Sequence, residues 1–585
     1  MSISTLKVLV AVHSFFALTS NAIPTPAPYD VETASFSAHS PTCTHNNLSR
    51  QCWEGGYSIV NDFDLSHPTT GKTVSYNLEI SNSTCNPDGH VARICMLVNG
   101  QYPGPTLRAA WGDQMIVHVK NRMQDNGTTI HFHGVRQLNT NAADGVPGVT
   151  ECPIAPGSEK TYVFNVTQFG TGWYHSHFSA QYGDGVAGPI VFDGPASANY
   201  DFDLGPYPVN EWYYRTAWQA SSLAIDAIQT LGKPPAANNM LINGTNKNAN
   251  GTGSYNHVVI EPGKRYRLRI ISMSVDNYMR VSLDGHRMKI IAADFVPIKP
   301  IAVEWIFLGA GQRYDVIITA DQEPGNYWFR TEVAKECRNN NDWYGRAIWS
   351  YSNTAMGTPN STAFPEPTDC LEPGPLIPYW PQKVPRKQEI GNLQVNTTHA
   401  VTEYSNNSSM VVWALGETID INWSKPTLSY VDSNTTQSLP SLYNVLNSAP
   451  SGAWNYWLIQ QPLNSSITAI PHPIHLHGHD FFVLGQGNTT WDGDVSQLNF
   501  DTPTRRDTST LPGNGWLALA FRSDNPGAWL MHCHIAWHIN EGFGVQFLEA
   551  PEKIQGEDGR SFVEECAAWE EYYERAYWKK LDSGL

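Results

Sequence analysis

The sequence has 585 residues, of which 41% are hydrophobic and 11% aromatic, so it is long enough for several domains with large buried cores. Only 16% of the residues are charged, and the formal net charge is -17. This charge disfavours nucleic acid and anionic membranes as partners, because both carry negative charge and repel the protein.

The N-terminus has the pattern of a secretory signal. Lys7 is the only charge before an apolar run from Val8 to Leu18, and Ser20-Asn21-Ala22 offers a cleavage site of small residues. We therefore predict a signal peptide over residues 1–22, followed by a proline-rich propeptide or linker over residues 23–40. The apolar run is too short to span a bilayer, and no later segment is long and apolar enough to do so. The mature protein is predicted to be secreted, with no membrane partner.

Recurrent N-glycosylation sequons agree with export. Their density, more than any single sequon, predicts a glycosylated surface. The sequon asparagines include Asn82, Asn165, Asn396, Asn434 and Asn488.

Nine cysteines indicate disulfide bonds and one unpaired thiol, because a secreted protein normally pairs its cysteines. Cys533 lies between two histidines, and we assign it as the unpaired one. Connectivity does not follow from sequence alone, so the pairing of the other eight is a hypothesis. The proposed bridges are Cys43–Cys52, Cys85–Cys95, Cys337–Cys370 and Cys152–Cys566.

Short β-rich runs bounded by turn residues recur along the chain, and several alternate apolar with polar residues as half-buried antiparallel strands do. Turn pairs such as Asp144-Gly145 and Pro526-Gly527 are typical of sandwiches or barrels. The clearest helical pattern is Ser561 to Lys580. We predict an all-β fold with several sandwiches and a short helical segment near the C-terminus. The predicted strands include residues 115–119, 160–166, 266–271, 314–319 and 516–521.

Four dense histidine clusters carry the functional signal. In an extended strand, residues i and i+2 point to the same face, so each His-x-His presents two imidazoles together. Imidazole is the commonest protein metal ligand and suits copper, zinc and iron. Four such sets, two early and two late, indicate metal sites rather than buried structural histidines. The clusters are His131-Phe132-His133, His175-Ser176-His177, His472-Pro473-Ile474-His475-Leu476-His477 and His532-Cys533-His534-Ile535-Ala536-Trp537-His538.

Copper explains these clusters better than zinc does. A row of imidazoles this long exceeds one tetrahedral zinc centre. A lone cysteine flanked by ligand histidines is typical of a blue-copper site, whose trigonal set is two histidines and one cysteine. Cys533, His538 and His472 supply that set, and the remaining histidines suffice for a cluster of several coppers. The path from the Cys533 sulfur along the backbone to His532 or His534 is on the order of 12 Å.

The four segments resemble the copper signatures of the multicopper oxidases, and further motifs are similar to ascomycete laccases. The resemblance covers nearly everything after about Cys43. It implies three cupredoxin domains, which we place at residues 41–196, 197–377 and 378–585, with a trinuclear copper cluster between the first and third. The further motifs are Asn99 to Thr106, Asp144 to Gly148, Leu241-Ile242-Asn243-Gly244 and Arg505-Arg506-Asp507-Thr508.

The resemblance also assigns ligands for four coppers, residue by residue. The type 1 copper receives His472, Cys533 and His538, and the type 2 copper receives His131 and His475. His479 falls outside the pattern and is expected to be structural or to support a ligand. The type 3 pair receives His133, His175, His177, His477, His532 and His534.

Phe543 occupies the axial position of the type 1 site, five residues after His538. Phenylalanine cannot ligate, so a three-coordinate copper with a raised reduction potential is expected. Phe543 is equally expected to be a core aromatic, and the two roles are compatible.

Asn238 stands three residues before Leu241, where laccases resembling this chain place a carboxylate that accepts the phenolic proton. An amide can hydrogen-bond a phenol but cannot act as its base. The sequence therefore predicts weak phenol oxidation at acid pH, and higher phenol turnover at low pH in Asn238→Asp.

Two further residues receive roles from the resemblance. The chain ends Asp582-Ser583-Gly584-Leu585, like a processed laccase tail that enters the channel to the trinuclear site. The resemblance therefore implies that the Leu585 carboxylate orients a histidine or handles protons there. A frayed terminus is the alternative. Ala536 stands where other laccases carry an acid, so we expect Asp144 to handle protons instead.

The predicted function is that of a laccase, in which substrate gives single electrons to the type 1 copper through an exposed His472 and O2 is reduced to water. The expected partners are phenolic small molecules and O2, and the protein is expected to be a monomer or dimer. A ferroxidase is the nearest alternative, whereas ascorbate oxidase is disfavoured by Phe543. A copper-storage or electron-carrier protein would not need the eight histidines outside the type 1 set.

Overall fold

The computed structural model describes residues 43–401, 408–462, 469–554 and 562–585. The predicted signal peptide over 1–22 and the propeptide or linker over 23–40 lie outside these ranges.

The first part of the described chain folds into two facing four-stranded sheets, ordered β2-β1-β4-β6 and β3-β8-β7-β5. In β4 the buried residues are Met115, Val117 and Val119, so alternate side chains face the core as a half-buried strand requires. The strands are β1 (Thr73–Cys85), β2 (Arg93–Val98), β3 (Leu107–Ala110), β4 (Gln114–Asn121), β5 (His131–His133), β6 (Glu159–Asn165), β7 (Gly170–His175) and β8 (Ala187–Asp193).

The middle part forms a second sandwich with sheets ordered β10-β9-β12-β17-β14-β15 and β11-β19-β18-β13-β16, and one helix, α1. Its elements are β9 (Phe202–Trp212), α1 (Ala217–Thr230), β10 (Asn239–Ile242), β11 (Asn256–Ile260), β12 (Arg265–Ser272), β13 (Met279–Leu283), β14 (Met288–Ala293), β15 (Val296–Val303), β16 (Ile306–Leu308), β17 (Arg313–Thr319), β18 (Asn326–Val333) and β19 (Tyr344–Tyr351).

The last part forms a third sandwich with sheets ordered β21-β20-β23-β28-β25-β26 and β22-β30-β29-β24-β27. Three helices accompany these strands. The elements are β20 (Gly391–Val401), β21 (Ser409–Leu415), α2 (Thr427–Asp432), β22 (Val445–Asn447), β23 (Trp454–Gln460), β24 (His472–Leu476), β25 (Phe481–Gly487), β26 (Thr504–Arg506), β27 (Thr508–Leu511), β28 (Trp516–Arg522), β29 (Gly527–Cys533), α3 (Ala536–Asn540), β30 (Gly544–Glu549) and α4 (Phe562–Arg575).

The all-β prediction is confirmed, and the ends of the five predicted strands lie within two residues of those of β4, β6, β12, β17 and β28. The predicted helical segment is also present as α4, but this helix ends at Arg575 rather than Lys580. The predicted start, Ser561, lies outside the described residues.

Helix α1 was not predicted, although its sequence carries a start signal. The Thr216 hydroxyl accepts a hydrogen bond from the Gln219 backbone, and the Gln219 side chain completes the capping box. Ala220, Ala224 and Ile228 recur every four residues and form its buried face. Since α1 forms one wall of the cavity described below, part of the functional site was not evident from the sequence.

All four proposed disulfides are present, and Cys533 is the free, buried thiol. Cys152–Cys566 spans 414 residues of sequence and ties α4 to the first sandwich. Across the described ranges, no helix combines the length and hydropathy needed to cross a membrane.

Candidate metal centres and the cavity beside them

Strand pairing brings the four histidine clusters together in two sheets. In the first sandwich His131 of β5 pairs with His175 of β7. In the third sandwich His475 of β24 pairs with His532 of β29. The two sets also meet across the sandwiches, since the His131 ring stacks on that of His477 with 3.9 Å between centroids. The early and late clusters therefore form a single site between the first and third sandwiches.

Cys533 belongs to a second group of donors, because successive side chains of a strand point to opposite faces. Its Sγ lies 3.4 Å from Nδ1 of His472 and 3.4 Å from Nδ1 of His538, and these two nitrogens are 3.0 Å apart. His532 and His534, on either side of Cys533, point to the other histidine group. The predicted type 1 trio is therefore assembled by the structure.

The prediction that His472 is exposed is wrong. His472 and Cys533 are fully buried, whereas His538 is 8% exposed and lines a cavity. His472 lies within β24, and its ring packs against those of Trp413 and Phe543. His538 lies on α3, which packs against α1 beside the cavity.

The remaining eight predicted ligands form one buried cluster. Each is at most 4% exposed. Donor atoms come within 4.8 Å of one another in overlapping groups of three, including His177 with His477 and His532. Nε2 of His534 and Nδ1 of His133 are 3.1 Å apart. The eight residues are His131, His133, His175, His177, His475, His477, His532 and His534.

Backbone carbonyls orient four of these eight rings in the same way. Nδ1 of His131 contacts the Asp144 carbonyl at 2.8 Å, and Nδ1 of His475 contacts the Asp507 carbonyl at 2.8 Å. Nδ1 of His175 likewise contacts its neighbour's carbonyl at 3.0 Å. A proton held on Nδ1 leaves the Nε2 lone pair free for a metal.

Buried ring nitrogens without a hydrogen-bond partner show that this site suits metal ions. Among the described residues they include Nε2 of His131, His175 and His475 and both nitrogens of His177. A buried, unpaired polar atom is costly, and metal coordination removes that cost. The donor set fits copper. One group consists of imidazoles alone, and the other combines the Cys533 sulfur with two imidazoles, which are ligands that copper prefers.

His133 has the opposite orientation. Its Nε2 lies 3.2 Å from the Thr508 hydroxyl and 3.3 Å from the Asp507 carboxylate, so its Nδ1 faces His534. Arg313 holds that carboxylate with two hydrogen bonds of 2.6 and 2.7 Å. Asp507 and Thr508 therefore orient ligands, a role that the Arg505-Arg506-Asp507-Thr508 motif did not reveal by itself.

Burial keeps the imidazoles of His177, His477, His532 and His538 neutral. It lowers the pKa of His532 to about 4 and that of His538 to about 3. Burial, reinforced by neighbouring imidazoles, places the pKa of His177 and His477 well below the usual range. Neutral imidazoles are the form that binds metal, so the site is ready to coordinate at neutral pH.

Asp144 contacts two of the eight histidines. Its Oδ2 lies 2.9 Å from Nδ1 of His477, and its Oδ1 lies 3.2 Å from Nδ1 of His131. The residue is fully buried. One buried carboxylate therefore contacts a ring from each pair of neighbouring histidine clusters, His131 of the first sandwich and His477 of the third.

Phe543 and His479 lie close to ligands without joining them. The fully buried Phe543 ring is centred 4.8 Å from the His472 ring. Nε2 of His479 lies 3.1 Å from the Glu549 carboxylate. Burial lowers the pKa of His479, but the Glu549 carboxylate outweighs this effect and raises it overall.

The C-terminal tail reaches the eight-histidine cluster. Leu585 is 1% exposed and lines a cavity of about 10 Å³ together with His177, His532 and His534. A cavity of this size holds about one water molecule. The frayed-terminus alternative is therefore wrong for the docked tail.

Several contacts hold the tail in place. Asp582 accepts hydrogen bonds from the Ser179 hydroxyl at 2.8 Å and the Gly584 backbone at 2.9 Å. The Trp423 indole donates to the Gly584 carbonyl at 2.9 Å. Lys580 forms a buried ion pair with Asp420.

A larger cavity of about 150 Å³ opens beside His538. We call it the substrate cavity. The cavity lies between two sandwiches, because α1 belongs to the second sandwich and His538 belongs to the third. Its lining residues are Ala224, Ala227, Ile228, Leu231, Gly232, Pro234, Trp413, Ile470, Trp537, His538 and Glu541.

Glu541 lines this cavity, although no sequence motif pointed to it. The residue is 4% exposed. Burial raises the pKa of its carboxyl to about 8, and a hydrogen bond with the Trp413 side chain offsets part of that rise. Its sequence position, three residues after His538, was the available signal.

Asn238 does not line the substrate cavity. Its Oδ1 accepts a hydrogen bond from the Tyr214 backbone at 2.9 Å, and its own backbone donates to the Trp212 carbonyl at 2.9 Å. The side-chain amide of Asn238 therefore stabilises the backbone at the start of β10. The expectation that Asn238→Asp raises phenol turnover therefore loses its structural basis.

Family models described as multicopper oxidase match residues 79–197, 205–354 and 381–553. A laccase of Neurospora crassa is 43% identical over 561 residues, which cover 92% of this chain and 88% of that protein. Laccase-3 of Botryotinia fuckeliana is 48% identical over 457 residues, which cover 76% of this chain and 100% of the relative.

A comparison with solved structures finds laccases as well. The crystal structure of a laccase from Botrytis aclada superposes with a TM-score of 0.86 at 39% identity, covering 93% of this chain and 100% of that one. The sandwiches described above therefore have the cupredoxin arrangement of a laccase.

Proposed function

The chain belongs to the multicopper oxidase family, and from that premise we propose that it oxidises phenolic compounds one electron at a time and passes the electrons to O2, as its laccase relatives do. The cofactor complement of such an enzyme is four coppers per chain. When bound, copper supplies the one-electron steps and the reduction of O2 to water.

One observation supports this proposal above the others. A single tripeptide, His532-Cys533-His534, contributes to both donor groups, because Cys533 faces His472 and His538 while its neighbours face the eight-histidine cluster. A protein that only stored copper would not need two different donor groups joined by so short a covalent path.

The proposed roles follow the positions of the side chains. His472, Cys533 and His538 hold the type 1 copper, and His131 and His475 hold the type 2 copper. The type 3 pair is held by His133, His175, His177, His477, His532 and His534. In the geometry described, His133 offers Nδ1 and the carbonyl-oriented rings offer Nε2.

The surrounding residues act in two places, the substrate cavity beside His538 and the eight-histidine cluster. His538 is the ligand that substrate approaches, since it lines the substrate cavity. Asp144 orients His131 and His477 and holds or releases protons near them. Leu585 closes the far side of the cluster and restricts entry of larger molecules.

Secretion and glycosylation are part of the proposal. All five sequon asparagines named above are exposed, as attachment of a glycan requires. The four disulfides suit an oxidising compartment. We propose a monomer or dimer outside the cell.

The test compares electron donors on the purified, copper-loaded protein. We expect kcat/KM for 2,6-dimethoxyphenol to exceed that for ferrous iron, because aromatic and aliphatic side chains line most of the substrate cavity. A marked preference for ferrous iron would instead make the protein a ferroxidase. Tight copper binding without O2 uptake from either donor would make it a copper-binding protein.

A further inference from the structure

The side chain of Asn540 joins three parts of the structure that lie around the predicted copper sites. Asn540 is fully buried at the end of α3, two residues after His538. In the amide orientation that satisfies all of its neighbours, Nδ2 donates to the main-chain oxygens of Leu585 at 2.8 Å and Ala536 at 3.0 Å. In the same orientation, Oδ1 accepts from the Ser221 hydroxyl at 3.0 Å. One side chain therefore connects α3 with the C-terminal tail and with α1.

The tail also completes the last turn of α3. The Ser583 hydroxyl donates to the Ile539 carbonyl at 2.7 Å, and the Ser583 backbone donates to the Asn540 carbonyl at 2.7 Å. The last carbonyls of a helix lack partners within the helix and need a cap or water instead. Ser583 and Asn540 are fully buried, so the docked tail provides that cap. The position of α3, and with it that of His538, is therefore tied to the docked tail.

The other connection of Asn540 leads to the substrate cavity. Ser221 is 3% exposed and lies on α1, one turn before Ala224 on the same helical face. Ala224 and Ile228 line the substrate cavity from α1, whereas His538 lines it from α3. Because successive turns of a helix are joined by backbone hydrogen bonds, a shift at Ser221 also moves this wall. The amide of Asn540 therefore helps to fix the distance between the two walls.

We propose that Asn540 is a positioning residue that couples docking of the C-terminal tail to binding of substrate in the substrate cavity. With the tail docked, Asn540 holds α3 and α1 at the separation that a bound substrate requires. This inference rests on the proposed function, because it concerns the substrate of the same site. Coupling between two sites is reciprocal, so a bound ligand must stabilise the docked tail by the factor by which the docked tail strengthens ligand binding.

The first experiment measures ligand binding without turnover. The copper-loaded enzyme is reduced with dithionite under argon, so it cannot oxidise a bound phenol, and equilibrium dialysis gives the dissociation constant of 2,6-dimethoxyphenol. Lys580→Met loosens the tail at its buried ion pair with Asp420. Ser221→Ala removes the hydroxyl that joins α1 to Asn540, and alanine favours the helix. The two changes are made singly and together, and Ser222→Ala is the matched control, since Ser222 is exposed on the same helix.

In the parent, we expect Lys580→Met to weaken phenol binding about fivefold, a factor at the lower end of typical coupling between sites. In Ser221→Ala, the same change should leave the dissociation constant unaltered, because the connection to α1 is already broken. The Ser222→Ala background should behave like the parent. The proposal is overturned if Lys580→Met does not affect phenol binding in the parent, or if its effect is equally large in Ser221→Ala.

The second experiment measures the reverse direction without changing the tail. Hydrogen exchange of residues 578–585 is followed in the reduced enzyme with and without saturating 2,6-dimethoxyphenol. We expect the phenol to slow this exchange about fivefold in the parent and in Ser222→Ala. It should have no effect in Ser221→Ala or in Asn540→Leu, which has a similar size but forms no hydrogen bonds. Equal slowing in all four proteins would overturn the role of Asn540.

Two further measurements separate this inference from the proposed function. The blue absorption of each oxidised variant verifies that the copper site at Cys533 is intact, so a loss of coupling is not mistaken for a loss of copper. If the parent consumes no O2 with any donor, the proposed function fails. If the parent oxidises the phenol but the tail and the phenol do not respond to each other, only the role of Asn540 fails.

Discussion

Oδ2 of Asp144, in the first sandwich, lies 2.9 Å from Nδ1 of His477, in the third. The same carboxylate reaches His131 through its other oxygen at 3.2 Å. Asp144 therefore fixes the relative orientation of two ligands from different sandwiches.

Replacement of this carboxylate should slow turnover without weakening phenol binding. An amide side chain would keep the shape but lose the charge that supports the two rings, so we expect Asp144→Asn to lower kcat by about 10- to 100-fold. KM for the phenol should stay within about twofold, because the phenol binds beside His538. Steady-state kinetics check this, with Asp342→Asn as the control, since the Asp342 side chain is 90% exposed. A raised KM with unchanged kcat would contradict the assignment.

The second prediction concerns the ring of Phe543, which is centred 4.8 Å from the His472 ring. Phe543→Met brings a weak thioether donor to the axial position and stabilises Cu(II). We expect the type 1 potential to fall by on the order of 60 mV, the one-electron equivalent of a tenfold shift. Redox titration of the blue absorption measures it. Phe543→Leu, which adds no donor, is the matched control, and an equal fall in that variant would exclude ligation as the cause.

The third prediction concerns docking of the tail. Lys580→Met removes the buried ion pair with Asp420, and breaking such a pair typically costs about 3–5 kcal/mol. We expect faster hydrogen exchange in residues 578–585, measured by mass spectrometry. Lys233→Met is the control, because Lys233 is exposed and lies far from the tail in sequence. Equal exchange in the two variants would mean that the ion pair does not hold the tail.

The tail should also respond to pH through Asp582. Burial raises the pKa of this carboxyl from 3.8 to about 6. The docked tail therefore binds a proton more tightly than the released tail does. Docking is most favourable below pH 4 and weakens as the pH rises from about 4 to about 6, by up to about 3 kcal/mol.

Hydrogen exchange of residues 578–585 at several pH values, corrected for the intrinsic exchange rate, checks this prediction. Asp582→Asn removes the titrating group while retaining an acceptor for Ser179. We expect the pH dependence of protection to disappear in that variant. If it persists unchanged, another group is responsible.

The grouping of histidines into metal sites could be predicted from sequence because the geometry of each His-x-His pair is local, whereas the assignment of ligands to individual coppers came from the resemblance to multicopper oxidases. The period of two in a strand makes His131 and His133 neighbours on one face, and it turns Cys533 away from His532 and His534. The pairing of Cys152 with Cys566, in contrast, was only a hypothesis, since no local rule joins residues 414 positions apart.

The substrate side of the site was not predictable in this way. Which type 1 histidine meets the cavity depends on the elements that pack around β24 and α3, and that packing is not local to His472 or His538. The place of Asn238 depends on its hydrogen bond to Tyr214, and that of Glu541 on the packing of α1 against the third sandwich. These are tertiary relationships, so they required the structure.

The most direct test of the central claim, that two donor groups joined through Cys533 carry electrons from phenol to O2, is the electron balance of turnover. Oxygen consumption and peroxide are followed together while the copper-loaded protein oxidises a known amount of 2,6-dimethoxyphenol. The account predicts one O2 consumed for every four phenols oxidised by one electron, with no peroxide. One O2 for every two phenols, with peroxide accumulating, would contradict it.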